Sequence, residues 1–293
     1  ATPEMDGAVT SSVGADISAL TALLSSENLT MQPLFGVSED RILEKTAVLS
    51  VETEEDVPDL SVYYHIEAPD ERLDDLAKSL IQLDEVEAAY VKPPGEPPVV
   101  KTEEAEVLNS MRPNKETPPV ATPNFTPSQL YLNAAPVGID ARYAWTINGG
   151  RGAGVKIIDC EWGWNFTHED LLQNQMGVVV GSGSSSDNHG TAVLGEISGD
   201  RNSFGVTGIC PDARVGAAAF GNSAQIIRQA ADRLGRGDII LLEIHRPGPQ
   251  SSDGSGQFGF IAIEWWPDDF AAIRYAVSKG IVVVEAAGNG SQN

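Results

Sequence analysis

Arg214-Val215-Gly216-Ala217-Ala218-Ala219-Phe220 is followed by a stretch from Ala224 to Leu234 and then by Ile239-Ile240-Leu241-Leu242-Glu243-Ile244. The outer runs are short and almost continuously apolar, as strands buried on both faces are. The middle stretch sets Ile226, Ile227, Ala230, Ala231 and Leu234 at helical spacing, one apolar stripe on an amphipathic helix. Strand, helix, strand predicts a parallel crossover unit, which needs helices over both faces of its sheet. The alternation continues in both directions. Upstream, Val155 to Ile158 reads as a strand and Gly190 to Ile197 as the start of a helix; downstream, Asp268 to Ser278 reads as a helix and Ile281 to Ala287 as a strand. The expected fold class is α/β, a parallel sheet flanked by helices. In such sheets the chemistry lies just beyond the carboxyl ends of the strands.

Ahead of this unit the composition changes. The 293 residues carry 42 acidic and 19 basic groups, a formal net charge of −23. Residues 1–120 hold 25 acidic and 8 basic groups, against 17 and 11 in residues 121–293. Nine of the 18 prolines fall between Pro93 and Pro127, beside Glu103, Glu104 and Glu106. Fixed φ angles and missing donors make 93–127 an extended acidic linker. It separates a first domain, 1–92, from a second, 128–293. In the first, Leu60 to Ile66 reads as a strand with Tyr63 and Tyr64. Pro69-Asp70-Glu71 then opens a helix bearing Leu73, Leu76, Leu80 and Ile81, and Val86 to Val91 reads as a second strand. That is a small α+β unit.

The acid excess argues against nucleic acid as a partner, since phosphate binding needs a basic surface. No apolar run reaches the roughly 18 residues of a spanning helix, which removes a membrane partner from the expectations. Without His-Glu-x-x-His or paired Cys-x-x-Cys no metal site is assigned. Cys160 and Cys210 are too few for a disulfide scaffold, and their pairing is left open. The start, Ala1-Thr2-Pro3-Glu4, has neither the basic nor the apolar region of a leader, so a leader was never there or has been removed.

Three strand or helix ends carry suggestive groups. The first strand ends in Asp159, His189 opens a helix within Asn188-His189-Gly190-Thr191-Ala192-Val193, and the last strand leads into Ala287-Gly288-Asn289-Gly290. A carboxylate, an imidazole and an amide donor are the parts that nucleophilic acyl transfer needs around its nucleophile. The carboxylate orients the imidazole, the imidazole takes the proton, and the amide stabilises the oxyanion.

In that order and spacing the segments resemble the Asp, His and oxyanion-Asn motifs of the subtilisin-like serine endopeptidases. His-Gly-Thr-x-Val-x-Gly is matched by His189, Gly190, Thr191, Val193 and Gly195; Gly208 to Ala213 echoes the Gly-Val-Ala-Pro stretch; His168-Glu169-Asp170-Leu171 resembles the His-Pro-Asp-Leu turn. The resemblance runs from about Ala134 to Asn293. It implies a serine endopeptidase acting on protein or peptide substrates, with Asp159, His189 and Asn289 as its catalytic groups. It also implies a cleft lined by Glu243, Ile244, His245, Ala287 and Gly288. It implies no cofactor beyond a structural calcium, for which no ligand loop is distinctive, and an extracellular location. The acidic front then resembles a ferredoxin-like prodomain that inhibits the cleft, and the chain a zymogen.

Two departures bear on this. The first motif usually reads Asp-Ser/Thr-Gly, whereas Asp159 is followed by Cys160-Glu161-Trp162-Gly163. The family's Gly-Thr-Ser motif is also missing, so the serine is expected on a second, bound chain or a missing C-terminal part. The alternative reading is a pseudopeptidase that binds or inhibits without turnover. Glu243 is expected either to favour a basic substrate residue or to be hydrogen-bonded within the sheet or paired with Arg246.

Overall fold

In the computed structural model, residues 2–3, 9–54, 56–98, 121–184, 188–251 and 257–290 are described. The second unit is built on five parallel strands: β5 (Lys156–Glu161), β6 (Gln175–Val180), β7 (Arg214–Ala219), β8 (Ile239–Leu242) and β11 (Val282–Glu285). Their order across the sheet is β11-β8-β5-β7-β6. The strand at 175–180 was not among those expected. It is an edge strand interrupted by two register shifts and Gly177, so its apolar run is too broken to read. A short hairpin, β9 (His245–Pro247) with β10 (Phe260–Ala262), stands apart from this sheet.

Side chains alternate across the sheet, and the two faces sort accordingly. Ile157 lies in a cluster with Leu194, Val215 and Ala217, beneath α5 (Asn188–Ser198). Ile158, Cys160, Ile240 and Leu242 lie in the opposite cluster. It includes Ala224 and Ile227 of α6 (Ser223–Ala231) and Ala272 and Ala276 of α7 (Pro267–Ser278). Both faces are covered, which is why the strands are continuous apolar runs. Asn222 caps α6 by accepting from the Gln225 amide at 3.1 Å, and Pro267 opens α7 where a missing N–H costs nothing. A single helical turn, α4 (Ala141–Ala144), precedes the sheet.

Among the described residues the first unit comprises two separate two-stranded antiparallel ladders and three helices. β1 (Thr2–Pro3) pairs with β2 (Val9–Thr10), and β3 (Met31–Pro33) with β4 (Tyr64–Ile66). The helices are α1 (Ser18–Glu27), α2 (Glu39–Thr53) and α3 (Asp70–Leu80). Leu20, Leu24, Met31, Leu76 and Leu80 form its core. Two expectations are corrected here. Leu60–Val62 is a 3₁₀ turn rather than the start of a strand, and no ladder forms over Val86–Val91. Among the described residues there is therefore no single ferredoxin-like sheet.

Nor is the first unit separate from the second. Phe35, Ile42 and Leu60 are buried in the cluster that α6 and α7 share. Lys45 meets Asp232 at 2.8 Å and Arg274 meets Asp56 at 3.0 Å around that seam. The linker expected at 93–127 lies mostly outside the described residues, and its first part is not a free tether. Glu96 exchanges both backbone hydrogen bonds with His245, at 3.1 Å each.

Candidate active site

The site lies at the carboxyl edge of the sheet, where β5 ends beside the first turn of α5. Three features bring α5 close. Asn165 donates its amide to Thr191 Oγ1 at 2.9 Å. The loop after β5 is fixed by Trp164, whose core position leaves it 2% exposed. Gly190 faces that loop so closely that an added Cβ would come within 2.5 Å of the Gly163 carbonyl. The His-Gly-Thr order is thus a packing requirement: the histidine projects, glycine permits the approach, and threonine ties the loop.

His189 Nδ1 sits 2.9 Å from Glu161 Oε2. Glu161 is 1% exposed and is the last residue of β5. The expectation that Asp159 would hold the imidazole is corrected by this geometry. Asp159 lies on the same face as Glu161 but two residues back, about 6–7 Å down the strand. There its Oδ2 accepts from Trp164 Nε1 at 2.7 Å, and its Oδ1 has no hydrogen-bond partner. Burial, then the nearby Glu161 charge, push the Asp159 carboxyl well above the ordinary range. A signal for Glu161 was present. It stands two residues before Gly163, as the carboxylate of an Asp-x-Gly motif does.

The substrate-side residues divide. Glu243, half-buried just past β8, lies within electrostatic reach of Glu161 and His189. Burial and the Glu161 charge raise its carboxyl, and the imidazole opposes them. It does not pair with Arg246, which instead donates to Ser223 Oγ at 2.8 Å and to the Pro93 carbonyl. Ile244 is buried, and the backbone of His245 is paired with Glu96. The His245 ring does not line the cleft. It packs against Phe260, with centroids 4.8 Å apart, accepts from the Asn289 amide at 3.3 Å, and is held toward its neutral form by burial.

Gly288 has φ +84, and a Cβ there would lie 2.6 Å from the Phe260 carbonyl, so this turn admits only glycine. Ala287 and Gly290 border a cleft of about 900 Å³ with Ile261, Trp265 and Phe270 on its apolar wall. Asn289 donates from Nδ2 to Gln257 Oε1 at 2.8 Å, and Gln257 Nε2 donates to the Pro97 carbonyl at 3.0 Å. The structure thus joins Asn289 to the 93–98 segment through Gln257, a residue that loop composition alone does not single out.

Glu285 closes β11, accepting from the amides of Ile263 at 2.7 Å and Glu264 at 3.2 Å. Burial raises its carboxyl from the ordinary 4.5 to about 7. Between those values the unfolded chain ionises while the folded chain keeps its proton, so folded-state stability falls as pH rises from 4.5 through 7. We expect Glu285→Gln to remove roughly 1–2 kcal/mol of that loss, allowing for solvent screening. Urea unfolding of both proteins at pH 4.5 and 8 checks it; identical pH slopes would rule out the assignment.

Among the described residues no group of three His, Cys, Asp or Glu side chains is placed to hold a metal ion, and no helix is long and apolar enough to cross a membrane. Cys160 and Cys210 are not bridged.

Residues 174–293 match the family model described as the Subtilase family, Peptidase_S8. Subtilisin Savinase of Lederbergia lenta is 30% identical over 146 residues, covering 47% of this chain and 49% of that protein. Thermitase of Thermoactinomyces vulgaris is 30% identical over 187 residues, covering 56% and 58%. The chain thus spans about a third to three-fifths of the length of the curated relatives that it matches. Fervidolysin from Fervidobacterium pennivorans superposes with a TM-score of 0.35 at 18% identity, over 48% of this chain and 22% of that one.

Proposed function

We propose, from the subtilase-family segment that the chain carries at 174–293, that this protein supplies the base half of a serine endopeptidase. The observation that carries the reading is the Glu161–His189 contact of 2.9 Å at the carboxyl edge of a parallel sheet. In this role the buried Glu161 carboxylate fixes His189 with its proton on Nδ1 and stabilises the imidazolium that forms. Nε2 then accepts the proton of a serine hydroxyl as it attacks the peptide carbonyl, and later returns it to the leaving amine. The side chain of Asn289 donates to the tetrahedral oxyanion once it is released from Gln257.

The nucleophile comes, on this reading, from a further polypeptide segment that packs against β11. Among the described residues β11 pairs only with β8, and Val282 and Val284 are 52% and 48% exposed on it. An apolar edge strand of this kind calls for another strand beside it. Residues 1–92 act as the prodomain and the segment near Glu96 as its inhibitory tail, lying on the main chain at His245 and tying up Asn289 through Gln257. Proteins or peptides are the substrates, and an extracellular site of action belongs to the same reading.

The test is fluorophosphonate labelling of the native protein before and after the 90–98 segment is cut, with intact mass recorded for every chain present. A label on the serine-bearing segment after the cut, absent in His189→Ala, is the expected result. No label on any chain after the cut would leave a binding protein on a peptidase scaffold.

A further inference from the structure

Where the chain passes from its first unit to the second, Lys92 enters a polar cluster beneath the start of α7. Its Nζ lies 2.8 Å from Asp269 Oδ1 and also bonds Asp268 Oδ2. Asp268 and Asp269 are 2% and 0% exposed. Tyr90 donates its hydroxyl to Asp268 Oδ1 at 2.8 Å and accepts from the Asp268 amide at 3.2 Å. Arg246 frames the other side, its Nε 3.7 Å from Asp269 Oδ2 and its guanidinium 5.9 Å from the Trp266 ring.

The charges set the logic of the cluster. Two carboxylates face one guanidinium, so Lys92 brings the buried group to neutrality; without an ammonium there, one negative charge stays buried and uncompensated. Saturation is also incomplete. Asp269 Oδ2 and Arg246 Nε have no hydrogen-bond partner, although both atoms are buried. A compact ammonium with three donors fits between two carboxylates whose far side is already taken by a guanidinium; a second planar fork does not.

The register of the segment is fixed at three further points. Arg246 takes the Pro93 carbonyl, Glu96 takes the His245 backbone, and a Cβ at Gly95 would come within 2.5 Å of Ile244 Cδ1. We infer that Asp268 and Asp269 form a lysine-reading subsite at the start of α7, filled here by Lys92 and open to a polypeptide that carries a lysine four residues before the one paired with His245. This deepens the peptidase reading by naming its substrate class: extended segments with lysine at that offset and glycine one residue before the paired position.

The test uses the full chain carrying Lys92→Met, whose own segment no longer fills the subsite. A peptide of residues 86–98 is titrated against it beside the same peptide with methionine at position 92, and binding is read by calorimetry. We expect the lysine peptide to bind at least tenfold tighter, and Asp269→Asn in the same chain to remove that preference. Equal affinities for the two peptides would overturn the subsite. If Lys92→Met does not fold, exchange of the Glu96 amide, which donates to the His245 carbonyl at 3.1 Å, decides in the Asp269→Asn chain, with at least tenfold faster exchange expected and unchanged exchange overturning it. Neither readout involves turnover, so an inactive protein that still prefers lysine would count against the peptidase reading alone.

Discussion

In the assembled peptidase, Glu161→Gln is expected to lower kcat by about 10⁴, while Asp159→Asn lowers it less than about tenfold. Glutamine keeps the shape of the Glu161 side chain and loses its charge. It can then donate to His189 Nδ1, which places the imidazole proton on Nε2, where a base needs a lone pair. Asparagine at 159 keeps an oxygen for Trp164 Nε1, now at 2.7 Å from Asp159 Oδ2, and leaves the His189 contact alone. Steady-state kinetics on one peptide substrate, with folding checked by circular dichroism, separates the two. A large loss in Asp159→Asn with near-normal Glu161→Gln would return the role to Asp159.

Asn289→Ala is expected to lower kcat by about 10²–10³ with KM within a few-fold of the parent, because the lost donor acts on charge that develops only in the transition state. The same change removes the hydrogen bond from Nδ2 to Gln257, 2.8 Å in length, and so one link to the Pro97 segment. Trans inhibition by the isolated 86–98 peptide should therefore weaken in this variant. A variant with raised KM and unaltered kcat would show that Asn289 holds the substrate and does not serve the oxyanion.

Periodicity and motif spacing go far here because they report on covalent order and side-chain direction. The alternation from Val155 to Ala287 determines a parallel sheet, and β5, β7, β8 and β11 lie within a few residues of where apolar runs place them. The broken strand at 175–180 and the hairpin at 245–262 escape, since Pro247, Gly248 and Pro249 read as loop and the edge pairing shifts register. His189-Gly190-Thr191 is legible because its three roles are local to one helix start.

Which carboxylate serves His189 is not local. Asp159 and Glu161 point to the same face of β5, so the strand period treats them alike. Only the packing of α5 against Trp164 decides that the imidazole meets the second of them and that the first is sealed below. Lys92 is likewise an ordinary charged residue in a proline-rich stretch until the fold brings it to Asp268, 176 residues away. The sequence by itself determined the sheet, the helix that bears the histidine and the presence of carboxylates on the strand beside it. The tertiary structure alone decided their pairing, because reach and desolvation depend on what other elements pack against each side chain, and neither is written in the spacing of the chain that carries it.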